Sequence, residues 1–179
     1  MPVEECANLL IMQYACFRCD KDISFFNENF GLSEKWVKYL VKYGLKPEEQ
    51  LCTDDFAGHL KNNLNLAIEA TVGIACYSEL AKAAQKMEIA EKYRKTAEAF
   101  AAEITAFANR FSHLPISWDS DESTFSLKYN FVFDKLLGLK LFGQDIFERE
   151  INCYLQRANA YGVPLDNRKA YTKSDWLCW

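Results

Sequence analysis

Several kinds of segment are absent from this chain, and each absence removes a class of function. No apolar run reaches the roughly 18 residues that a membrane span needs. Lysines and arginines nowhere cluster, and the formal net charge is −4, which argues against nucleic acid as a partner. Histidine is scarce: His59 and His113 are the only two, too few for a zinc site, so no metal and no cofactor is expected. The opening MPVEECANLL has no basic segment followed by an apolar one, so no signal peptide is expected within this chain. There is no G-x-S-x-G elbow and no evident Cys–His pair, which leaves no obvious covalent nucleophile.

Cysteine is present but in odd number, seven in all. Cys16 and Cys19 form one C-x-x-C with no second pair and no βαβ pattern around it. They are expected to pack in the core as small hydrophobes, like most of the other thiols.

What the chain does have is length, apolar content and helical spacing. Its 179 residues are 50% hydrophobic and 26% charged, enough for a sizeable core in one globular domain. The dominant stretch runs from Thr53 to Gln85. After Asp54 and Asp55 no proline interrupts it, and apolar residues from Leu60 to Leu80 cover nearly every face. This spacing predicts one long helix, starting at the aspartate pair and buried on several sides.

The remaining chain reads as further helices. One spans about Val3 to Arg18, with Glu4 and Glu5 at its positive end. A shorter one is capped by Ser33 and ended by Gly44 as the left-handed residue, with Pro47 blocking continuation. Another, about Met87 to Phe111, carries Ile89, Tyr93, Ala97, Phe100 and Ile104 on one face. A loop over 112–124 follows. Helices over about 129–139 and 145–160 come next, then a polar stretch leading into a final helix. Broadly apolar helices alternate with one-faced ones. That alternation fits a two-layer ring of helical hairpins, inner helices buried and outer ones half exposed. The triplets Tyr43-Gly44-Leu45 and Tyr161-Gly162-Val163 close two outer helices as a faint repeat. In such a ring the inner helices all begin at one end. Glu4–Glu5, Thr53 to His59, Ser112 to Lys128 and Leu165 to Asp175 are therefore expected around one mouth, where helix N-termini favour anionic groups.

Three motifs, LCTDDFAGHLKNNLNLAI, KYNFVFDKLLGL and YGVPLDNRKAYTKSDW, resemble the glutaminase A family of bacteria and fungi, and PVEECANLLI is similar to that family's start. The resemblance implies an all-α fold of antiparallel helical hairpins, part of an (α/α)6 toroid shared with many glycosidases. It implies that residues 1–179 supply about three hairpins of a larger, extracellular or periplasmic parent. It also implies hydrolysis of glutamine to glutamate and ammonia in that parent, the fragment alone being inactive. Glycoside hydrolysis, suggested by the toroid shape, and a catalytically silent module are the alternatives.

The candidate residues carry two readings each. Asp54 and Asp55 either cap the long helix or act as acid and base. His59, one turn on, either relays a proton or is structural. Glu5 and Glu4 either match the helix dipole or face the aspartates across the mouth. Asp134 and Lys135 read as a surface pair. Lys128, Asp166, Asn167, Arg168, Lys173 and Asp175 are candidate substrate contacts, Arg168 for a carboxylate through its two-pronged fork. Trp118, Tyr129 and Trp176 read either as buried aromatics or as a stacking wall. The partner implied is a small-molecule substrate; exposed apolar flanks of a partial ring also predict self-association.

Overall fold

In the computed structural model, residues 2–178 are described, Phe56 by its backbone alone. Among them every regular element is helical: α1 (Val3–Asp20), α2 (Ser24–Glu28), α3 (Phe30–Tyr43), α4 (Leu64–Ala83), α5 (Met87–Ala108), α6 (Phe131–Leu137), α7 (Gln144–Arg157) and α8 (Ser174–Leu177), with a 3-10 turn over Thr53–Ala57. No helix among them is long and apolar enough to cross a membrane.

Helix α4 is the axis of the packing. It lies against α1, α3, α5 and α6, and 17 of its 20 residues are buried. An apolar surface running all round a helix demands neighbours on all sides, and α4 has them. Its contact with α1 is closest at Gly73, where an added Cβ would stand 3.0 Å from the Ala7 Cα. Below that point Tyr77 packs edge-on against Phe26 and Tyr93, tying α2 and α5 to the same core. The outer helices α3, α5 and α7 each bury one face only, as their spacing requires.

Five expectations are corrected. The long helix does not begin at the aspartates. Gly58 takes φ 114° and Asn62 φ 53°, which breaks the chain between the 3-10 turn and α4. Asn63, not Asp54 or Asp55, caps α4, its side-chain oxygen accepting from the Asn65 and Leu66 N–H groups. Ser33 lies inside α3 rather than at its start, buried and donating to the Gln13 side chain at 3.0 Å. Gly44 is right-handed, at φ −79°, while Gly162 takes φ 117°, so the two Tyr-Gly triplets are not one structural repeat. Glycine is needed at 44 for room instead: a Cβ there would stand 2.6 Å from the Ala70 Cβ. Cys16 and Cys19 are exposed, because the last turn of α1 runs out into solvent beyond its neighbours. Finally, Asp134 is no surface ion-pair partner: it is buried and accepts from the Leu141 and Phe142 N–H groups, closing the turn after α6.

Candidate functional site

The inner helices α1, α4 and α6 begin at one end of the molecule, and hydrogen bonds tie their starts together. From α1, the Glu4 carboxylate accepts the Thr53 N–H at 3.0 and 3.1 Å. From α4, Asn63 donates to Asp54. From the lead-in to α6, Asn130 donates its N–H to the Asn65 side chain at 3.2 Å and its amide to the Asn65 carbonyl at 3.3 Å. The loops join by main-chain bonds: Leu64 to Ile116, Trp118 to Asn62, Leu127 to Leu165 and Asn167 to Phe125. The four stretches expected at one mouth are thus brought together.

Asp54 is the centre of that end. It is 3% exposed. The Tyr129 hydroxyl donates to Oδ1 at 2.7 Å, and the Asn63 amide donates to Oδ2 at 3.1 Å. Burial pushes its carboxyl above the usual range, working against the Asn63, Tyr129 and Asn65 hydrogen bonds and the Lys128 charge, which favour the anion. The turn that presents it is closed by its neighbour: Asp55 Oδ2 accepts the Cys52 N–H at 3.1 Å. The Cys52 thiol is pushed up by burial and then by the Asp54 and Asp55 charges, the reverse of what a thiolate nucleophile needs.

A second carboxyl lies one turn into α4. Glu69 is 2% exposed; its Oε2 accepts the Asn130 amide at 3.0 Å, and its Oε1 is buried with no partner among the described residues. Burial, then the nearby Glu4 and Asp54 charges, push it well above the ordinary glutamate value. A third, Glu150 of α7, is 3% exposed and accepts the Leu114 N–H at 2.6 Å and the Tyr154 hydroxyl at 2.8 Å.

These three acids hang on three consecutive residues. The Lys128 N–H donates to the Tyr154 hydroxyl at 2.7 Å and so reaches Glu150. Tyr129 reaches Asp54, and Asn130 reaches Glu69. The Lys128 ammonium is turned into the protein, donating to the Ser126 hydroxyl at 2.7 Å and to the Ser126 and Leu114 carbonyls. Burial lowers its pKa, opposed mainly by the Glu150 charge.

The other expected residues divide. Arg168 braces the mouth: it pairs with Asp166 at 2.6 Å and donates to the Gly58 and Asp54 carbonyls. With its fork engaged by protein oxygens, it is a bracket between loops. Asp166 is buried and also accepts the Arg168 N–H. Asn167 receives the Phe125 N–H on its side chain. Asp55, half-buried, and His59, exposed, pair at 3.3 Å on the rim, on either side of the positive-φ turn at Gly58. Glu5 is exposed on α1, near enough for its charge to bear on Glu4 and Glu69. Asp175 is exposed on α8, and Lys173 lies over the Trp176 ring at 4.8 Å. No single aromatic wall forms. Tyr129 and Trp176 stack at 5.0 Å, while Trp118 packs against Phe107. Beside the stacked pair, an open groove of about 450 Å³ runs along Phe131, Phe147, Ile151 and Leu177. Among the described residues no group of three or more His, Cys, Asp or Glu could hold a metal ion.

The sequence reading singled out neither Glu69 nor Asn65 nor Asn130, while Asn62 and Asn63 were expected either to face solvent or to line the bore. A signal for Glu69 was there: one carboxylate inside LNLAIEATVGIA, where every neighbour on every face is uncharged.

An array of inner and outer helices, with buried acids under the gathered inner N-termini, defines a helical-hairpin domain. The chain belongs to the Glutaminase A six helical-hairpin domain family, whose pattern matches residues 1–179. It is 34% identical to Glutaminase A of Aspergillus oryzae over 98% of this chain and 26% of that protein. It is 30% identical, over 83% of its length and 20% of the relative's, to an Arthroderma benhamiae protein named a probable glutaminase. The chain thus spans about a quarter or less of the curated relatives it matches.

Proposed function

We propose that this chain supplies part of the active-site mouth of a glutaminase-type amidohydrolase, an extracellular or periplasmic parent that converts glutamine to glutamate and ammonia. The observation that carries this reading is Asp54: a carboxyl group almost sealed from water, gripped by Tyr129 and Asn63, in a family with relatives named glutaminase.

The chemistry needs no covalent intermediate. Water adds to the amide carbonyl while Asp54 takes its proton. That proton then passes to the departing nitrogen, the C–N bond breaks, and ammonia leaves. A carboxyl group raised above its usual range by burial both accepts and returns a proton nearer neutral pH than an exposed one. Tyr129 and Asn63 hold the carboxylate in place between the two transfers.

The test is ammonia release from glutamine by the parent protein and by its Asp54→Asn variant. Loss of activity by a factor of about 10²–10⁴ is expected, the usual contribution of a positioned acid–base group. Undiminished turnover by the variant would overturn the assignment. Bond cleavage in an oligosaccharide panel with no ammonia from glutamine would point instead to glycoside hydrolysis, which uses two carboxyl groups.

A further inference from the structure

The role of Glu69 is not explained by packing. A fully covered carboxyl group in the middle of an apolar helix is costly, and an apolar residue of similar volume would avoid that cost. One of its oxygens has no partner among the described residues, so it is not present to complete a saturated network. Among the described residues its side chain bonds to Asn130, which also clasps Asn65 twice. Asn130 immediately precedes α6 and immediately follows Tyr129.

We propose that Glu69 is the positioning residue for the Tyr129–Asp54 hydrogen bond: by holding Asn130 against α4 it fixes the start of α6, and with it the reach of the phenol one residue earlier. The geometry leaves little slack. Asn130 is anchored on α4 at Asn65 and Glu69, Asp54 is anchored to the same helix through Asn63, and Tyr129 spans the two anchors. Without Glu69, Asn130 is held to α4 only by its two longer bonds to Asn65, at 3.2 and 3.3 Å, and the play this gives the lead-in to α6 lengthens the 2.7 Å phenol contact. The charged groups facing Glu69 are Glu4 and Glu5 from α1 and Asp54 from the 3-10 turn. This inference rests on the reading of Asp54 as the working carboxyl, and it is tested independently of activity.

The readout is the titration midpoint of the Asp54 carboxyl, followed by carbon NMR in the folded chain. Tyr129→Phe removes a donor that favours the anion, so the midpoint rises. Glu69→Ala and Asn130→Ala should each raise it in the same direction. Glu69→Gln keeps an acceptor for Asn130 and should leave it near the wild-type value. The double variant Glu69→Ala, Tyr129→Phe should titrate like Tyr129→Phe alone, because the contact can be lost only once. A wild-type midpoint in Glu69→Ala, or shifts that add in the double variant, would overturn the proposal. If Glu69→Ala does not fold, Asn130→Ala and its double with Tyr129→Phe decide. A shifted midpoint with unchanged ammonia release in the parent would uphold the positioning role and sink Asp54 as the working group instead.

Discussion

At the scale of single residues, buried acids set the chemistry and the pH response together. Asp54 and Glu69 both stand above their ordinary values of 3.8 and 4.5, so the folded chain holds protons that the unfolded chain has released. Stability contributed by these groups is complete below those ordinary values and falls as pH rises through the raised ones. Urea midpoints measured across that window should therefore decline toward neutral pH, and Asp54→Asn with Glu69→Gln should flatten the decline. Thiol accessibility is a second residue-scale outcome. Cys16, Cys19 and Cys178 should react with a thiol reagent in the native chain, whereas Cys6, Cys76 and Cys153 should react only on unfolding.

Elements are held by caps and close approaches that the residue pattern only half reveals. Asn63 serves two partners, the first turn of α4 and Asp54. Asn63→Ala should lower stability by about 1 kcal/mol through the lost cap. Asn63→Ser should recover the cap without recovering the donor to Asp54, seen as restored urea resistance with altered pH dependence. Gly44→Ala should cost about 1–3 kcal/mol, since a methyl group there meets the Ala70 Cβ at 2.6 Å. The helices themselves were legible from spacing: five of the six main ones fall within a few residues of the expected bounds. The start of α4 was not, because no proline interrupts the stretch and the break is made by positive φ at Gly58 and Asn62, with the cap at Asn63. Asp54 was legible through its adjacent partner and its motif. Glu69 was legible only as the lone charge within LNLAIEATVGIA, since apolar spacing does not say what a carboxyl group in a helix buried on all sides is held against.

On the scale of the whole molecule, both sides of the helix array carry uncovered apolar side chains. Leu136, Ile151 and Leu155 are 69, 53 and 69% exposed on α6 and α7, and Met12 is 59% exposed on α1. Uncovered apolar side chains favour association where they adjoin one another. Light scattering should find a mass above the monomer's 20.7 kDa that rises with concentration, and Ile151→Lys with Leu155→Lys should bring it down.

The tripeptide at 128–130 bears on how this mouth tolerates change. Because adjacent positions each answer to a different carboxyl group, a register slip of one residue would disturb the surroundings of all three acids in a single stroke. Insertions and deletions in the preceding loop should then act as an on–off lesion, abolishing the mouth rather than reshaping it. Variation among natural relatives would have to accumulate by side-chain exchange there and by length only elsewhere.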